Sequence, residues 1–95
     1  MDTQMHAIHF KADKKLLSFI QERLNKLEQF NDQIVSAEVY LRLDKDSEKE
    51  NKITEIKLHV PGKDLFAKKQ CKSFEEATNV AVEALRRQIM KGKSR

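Results

Sequence analysis

Three histidines and one cysteine in a chain of 95 residues are the first groups that could do chemistry, because imidazole and thiolate are the usual zinc ligands. His6 and His9 stand three apart within residues 3–10, a segment that reads as an extended strand. Side chains alternate faces along a strand, so this odd spacing sends the two rings to opposite sides. His59 lies alone in another alternating stretch, and Cys71 has no second cysteine. No zinc pattern forms, and no residue order brings a histidine to Cys71 as the base a nucleophile needs. Asp44, Asp46, Glu48 and Glu55 occupy places one, three, five and twelve of an EF-hand count. Lys49 takes the place where that loop needs glycine, and Glu55 falls in a strand, so the series reads as a solvated loop. With two glycines and one proline, a glycine-rich phosphate cradle is not expected. An acylphosphatase-like hydrolase would need such an anion loop. The expectation is a protein that is not an enzyme and holds no metal or cofactor.

Cations carry a better signal. At 100° per residue, Lys15, Phe19, Arg23, Lys26 and Phe30 fall within an arc of about 80°, beside an apolar stripe of Leu17, Ile20, Leu24 and Leu27. Further on, Arg87 and Lys91 form an i, i+4 pair on one flank of a second stripe, Arg86 lies on the other flank, and Lys93 and Arg95 follow. Cations near a helix C-terminus also complement its dipole and snorkel over core edges. That accounts for Lys91 and Lys93 but less well for the clustered flank of the first helix. Two such helices side by side would line a shared groove with basic side chains.

The elements that must position these groups follow from periodicity. After the first strand, Asp13 is a candidate N-cap for a helix reaching about residue 30, closed by Asn31-Asp32. From Val35 the period becomes two, with Ala37, Val39, Leu41 and Leu43 set against Glu38, Tyr40 and Arg42. Residues 44–52 contain nothing apolar and read as an exposed, mobile hairpin loop. Alternation resumes through Ile56, Leu58 and Val60, and Pro61-Gly62-Lys63-Asp64 signals a tight turn. Leu65, Ala67 and Cys71 then suit a lysine-flanked edge strand. Ser73-Phe74-Glu75-Glu76 is a capping box opening a helix with Phe74, Ala77, Ala81, Leu85 and Ile89 on one face, ending near Met90 with Gly92 as its stop. The expected fold is α+β, a single β-α-β-β-β-α domain over residues 1–95. It has a four-stranded mixed sheet, its first pair parallel, and two helices on one face.

Charged residues make up 36% and hydrophobic ones 39%, a thin core under a charged skin with little room for a deep cavity. No apolar run approaches the length a membrane helix needs, and the first residues lack the regions of a secretory signal. A single cysteine suits a reducing cytosol. Residues 61–95 hold nine basic and four acidic groups, while residues 31–60 hold five and seven. The excess toward the C-terminus raises the prospect of a polyanionic partner.

The element order, the segment Lys26-Leu27-Glu28-Gln29-Phe30 with Asp32, and Leu58-His59-Val60-Pro61-Gly62 resemble the ribosome hibernation-promoting factor and ribosome-associated inhibitor family, also called the sigma-54 modulation protein family. The last helix fits too, with Ser73-Phe74 at its start and Leu85, Arg87, Gln88, Lys91 and Lys93 near its end. The resemblance covers essentially the whole chain. It implies a cytoplasmic domain shaped like double-stranded RNA-binding domains, which binds the small ribosomal subunit in the mRNA and tRNA decoding channel. There it would contact rRNA and repress translation under stress or in stationary phase. Carried over by position, the rRNA-binding residues would be Arg23, Lys26, Arg87, Lys91 and Lys93, with Arg86 adjacent. No membrane or small-molecule substrate is implied, and there is room for a separate ribosome-dimerising factor as a partner.

Ala84 departs from the family where some relatives have lysine, and Lys69 where relatives are small and apolar. The end at Arg95 is expected to make this the short type, without a second domain. A double-stranded RNA-binding or protein-interaction module unrelated to the ribosome is the rival reading, the latter using the open sheet face around Tyr40 and Arg42.

Overall fold

Apolar periodicity sets the architecture of the computed structural model, which describes residues 1–93 with the Lys93 side chain excepted. In chain order the elements are β1 (Asp2–Ala7), α1 (Lys14–Leu27), β2 (Ser36–Leu43), β3 (Lys52–Val60), β4 (Lys63–Cys71) and α2 (Phe74–Lys93). The sheet order is β1-β2-β3-β4. β1 runs parallel to β2, with Asp2 opposite Ser36, and the other two pairings are antiparallel. This is the expected α+β fold. No helix among the described residues is long and apolar enough to cross a membrane.

α1 begins where expected. Asp13 is extended, and its carboxylate accepts from Leu16 N at 2.8 Å, a cap that contributes about 1 kcal/mol. The buried stripe is Leu16, Ile20, Leu24 and Leu27. Leu16 replaces Leu17 because a start at 16 keeps the spacing at four, four and three, and leaves Leu17 half-buried on the flank. The helix stops at Leu27 and tightens into a turn, with Phe30 N and Asn31 N both donating to Leu27 O. Asn31 follows that stop; its side chain accepts from Gln33 N at 2.9 Å in the next turn.

Ala37, Val39 and Leu41 of β2 face the helices and are buried, but Leu43 is 42% exposed, because at the strand end no helix covers it. On β3, Thr54, Ile56 and Leu58 lie opposite Leu41, Val39 and Ala37. Thr54 is fully buried, its hydroxyl oxygen 3.4 Å from that of buried Thr78 on α2. The pair satisfies two polar groups that would otherwise be costly in the core. Lys52 belongs to β3, so the loop is Asp44 to Asn51. Gln70 ties it down by donating to Asp44 Oδ2 and to Glu50 O, both at 2.8 Å. Pro61 and Gly62 alone form the β3–β4 turn, with Gly62 at φ +86°, a left-handed conformation that glycine adopts without strain.

Ser73 caps α2, its hydroxyl accepting from Glu76 N at 3.0 Å. Phe74, Ala77, Ala81, Leu85 and Ile89 are all buried. Gly92 does not stop the helix. It costs about 1 kcal/mol against alanine in a helix, too little to break a segment anchored by buried Ile89. The two helices lie side by side and point the same way. Phe10, ahead of α1, stacks on Phe74 at the start of α2 with centroids 5.1 Å apart. Near the other end, the Arg86 guanidinium lies 5.8 Å over the ring of Phe30, just past α1.

Candidate nucleic-acid interface

Parallel alignment of the helices places the last turn of α1 beside the later turns of α2, and most of the expected cations stand there. On α1, Arg23 is half-buried with its guanidinium 5.9 Å above Phe19, while Lys26 is exposed in the last turn. Arg23 Nε is buried with no hydrogen-bond acceptor among the described residues. Such a donor costs free energy until an acceptor arrives, so the side chain gains by turning toward an offered anion.

On α2 the cations divide. Arg86 turns toward α1 over Phe30 and also donates from Nε to Glu83 at 3.0 Å. That bond and charge hold the Glu83 carboxyl below the usual carboxylate range and raise the Arg86 guanidinium further. Arg87, one residue on, is exposed. Gln88 marks the opposite flank by donating to Phe66 O of β4 at 2.9 Å. Lys91 shares that flank, lining a concavity with Lys63, Leu65 and Gln88. Arg86 and Lys91 thus lie on opposite flanks of α2, as their spacing implies, and only the flank carrying Arg86 faces α1. Arg23 and Arg86 stand on the facing sides of the two helices, Arg87 points outward, and Lys91 leans toward the sheet edge. The Lys93 side chain and Arg95 lie outside the described residues.

The open face of the sheet has a different character, since its charges are matched across strands. Arg42 on β2 bonds Glu55 on β3 at 2.8 Å, and Lys68 on β4 approaches Glu55 at 3.7 Å. His59 bridges Glu38 and Asp64 at 2.8 and 2.7 Å. His6 stacks on Tyr40 at 5.0 Å. His9 lies beyond β1 at φ +63°, so the opposite-face argument from strand alternation does not apply to it. The three histidines serve three unrelated places. Burial pushes the Cys71 thiol up, with Glu76 and Glu50 adding to it, the reverse of what an activated nucleophile needs.

The bonds to Glu38 and then Asp64 raise the His59 pKa, and the bond to His59 lowers that of Glu38. His59 therefore contributes stability fully below its ordinary value of 6.5, and this fades as pH rises through the raised folded value. Glu38 contributes above its ordinary 4.5 and loses this as pH falls through its lowered folded value. The clamp is strongest between those limits. An NMR titration should find the His59 imidazole titrating above free histidine and returning toward it in Glu38→Gln; a His59 titrating at or below 6.5 in the wild type would contradict the clamp.

Residues 3–95 match the family described as Sigma 54 modulation protein / S30EA ribosomal protein. The chain is similar to the ribosome hibernation promotion factor of Deinococcus radiodurans, 28% identical over 94 residues that cover 97% of this chain and 49% of that protein. It thus spans about half the length of this curated relative. The fold is shared with a ribosomal subunit interface protein from Coxiella burnetii, with a TM-score of 0.89, 18% identity and all of both chains covered. It is shared also with the N-terminal domain of Protein Y from Thermus thermophilus, with a TM-score of 0.83 and 18% identity over 97% of this chain and 99% of that one.

Proposed function

The chain belongs to the Sigma 54 modulation protein / S30EA ribosomal protein family, and from that premise we propose that it is a ribosome hibernation factor. It docks on the small ribosomal subunit in the mRNA and tRNA channel, helix layer toward the rRNA, and represses translation by occupying the path of its substrates. The observation that carries this reading is the family match across residues 3–95; the exposed cations where α1 and α2 end support the choice of face. Folded rRNA presents phosphates and shape more than readable base edges. Arginine forks and lysine charges on a rigid domain suit that target without sequence readout. The matched charges of the open sheet face offer little net attraction to a polyanion. Inhibition by occupancy requires no bond to be made or broken, and its place of action is the cytoplasm, where the ribosomes are.

Sedimentation with purified vacant bacterial ribosomes and isolated 30S subunits over a salt series tests the reading. If Arg23, Lys26, Arg86, Arg87 and Lys91 each meet a phosphate, log K should fall against log salt with a slope of about −4. Affinity should then drop roughly two hundredfold between 50 and 200 mM salt. Translation in vitro should be inhibited over the same range. Salt-independent association, or preference for a free RNA duplex over the 30S subunit, would favour an unrelated interaction module.

A further inference from the structure

We propose that a shallow concavity on the basic flank of α1 seats an unpaired guanine base of the rRNA, held against Phe19 and read by Glu22. This rests on the ribosomal reading above and deepens it, naming a base contact among the phosphate contacts. The concavity has a volume of about 360 Å³ and is lined by Lys14, Lys15, Ser18, Phe19 and Glu22. At about 100° per residue, Glu22 falls within about 40° of both Lys15 and Lys26, so one acid stands inside the cationic flank. Glu22 is exposed and forms no ion pair among the described residues. A carboxylate on a face that docks on phosphates is repelled by them, unless uncharged donors meet it there. The edges of unpaired bases supply such donors. Guanine presents N1–H and N2–H side by side, one for each oxygen of an acceptor-only carboxylate. Uracil offers a single N–H between two carbonyl oxygens.

Phe19 supplies the other half of the site. Its ring is half-buried, with the Arg23 guanidinium 5.9 Å from its centroid. Arg23 follows Phe19 in the chain, and Lys14, Lys15 and Ser18 precede it, so the ring stands between the guanidinium and the lysines. Aromatic rings hold unpaired bases by stacking. Lys14 and Lys15 are exposed in the first turn of α1, where the positive end of a helix repels cations. No acid in that turn offsets them, and the Asp13 carboxylate just ahead is engaged by Leu16 N at 2.8 Å. The two lysines thus lower the stability of the free domain. They are placed to meet the phosphate of the stacked nucleotide, at the end of the helix that favours an anion.

The test measures 30S binding by wild type and Glu22→Gln over a salt series, with Tm for each. Removing an acid from a face that meets phosphates should tighten binding if Glu22 only repels them. If Glu22 reads guanine, Glu22→Gln should instead weaken binding about tenfold. The salt slope should stay the same, because no phosphate contact is lost. Tm should hold, since glutamine and glutamate form helices about equally well. A second arm needs no ribosome: NMR titration of the protein with the pentanucleotides UUGUU, UUIUU and UUUUU. Amides around Phe19 and Glu22 should shift with UUGUU, and affinity should fall about tenfold with UUIUU, whose inosine lacks the N2 amine. Unchanged or tighter 30S binding by Glu22→Gln, or equal affinity for UUGUU and UUIUU, would overturn the proposal alone. A wild type that discriminates the pentanucleotides but does not bind 30S subunits would overturn the ribosomal reading and leave the base site standing.

Discussion

Arg23→Glu combined with Arg87→Glu is expected to lower affinity for the 30S subunit by about three orders of magnitude at low salt, with the fold retained. Each reversal removes a charge-assisted contact, about 1.5–3 kcal/mol, and sets a carboxylate against phosphates. Two such changes on different helices exceed the 4 kcal/mol that corresponds to about a thousandfold. The structural cost is small by comparison. Arg87 is exposed, and the contact of Arg23 with the Phe19 ring is worth about 0.5–1 kcal/mol, or roughly 5 °C in Tm for a domain of this size. Circular dichroism and thermal melting establish the fold, and sedimentation with 30S subunits reads the binding. Near wild-type binding by a folded double variant would mean that the helix layer does not face the RNA.

Leu85→Ala should do the opposite, harming the fold and sparing the contact surface. Leu85 is fully buried on α2 beneath the residues that carry Arg86 and Arg87. Truncating such a leucine costs about 2–5 kcal/mol, the lost transfer energy plus the cavity left behind. In a domain whose whole stability is of order 5–15 kcal/mol, that corresponds to a fall of roughly 10–25 °C in Tm. Urea unfolding should show a lower midpoint with an unchanged m-value. In the cold, where the variant is folded, 30S affinity should stay within about threefold of wild type, since no cation has moved. A Tm within a few degrees of wild type would show that the region around Leu85 collapses onto the gap. Opposite responses in these two variants separate docking from folding.

Much of the fold was legible because periods of two and 3.6 belong to different geometries. Ala37, Val39 and Leu41 announced a half-buried strand; Phe74, Ala77, Ala81, Leu85 and Ile89 announced one helix face. Local chemistry marked the helix starts at Asp13 and Ser73. The stops were harder, because they depend on what the helix packs against. Gly92 looked like a terminator by residue type, yet α2 runs past it. Thr54 was passed over because a polar residue breaks an apolar count, and only the approach of Thr78 from α2 makes its burial tolerable. Leu43 had the right parity for the core but no helix over it.

The candidate interface was half legible. The basic flank of α1 could be seen by rotating residues about an axis, which is how Arg23 and Lys26 came together with Phe19 and Phe30. The same rotation put Arg86 on one flank of α2 and Arg87 with Lys91 on the other, but it cannot tell which flank meets α1; the packing turns Arg86 toward α1 and Lys91 toward the sheet edge. Glu83, three residues before Arg86, was readable as its ion-pair partner by spacing alone. Lys63, whose Nζ lies beside Gly92, carried no such signal. It stands 29 positions from Gly92 in the chain, and their proximity exists only once β4 has brought the turn to the end of α2.

The sheet order β1-β2-β3-β4 also bears on how the chain reaches this state. Every strand pairs with its neighbour in sequence, and β2, β3 and β4 are joined through short loops whose closure costs little entropy. The one distant pairing is that of Asp2 with Ser36, across the whole of α1. Loop-closure cost is thus concentrated in a single event, the docking of β1 onto an edge that the other three strands can present without it. Strand topologies with mostly local partners fold quickly for their stability. β1 is consequently the strand that must wait for its partner, and like β4 it is an edge strand with a single neighbour, which a fluctuation can peel away more readily than β2 or β3.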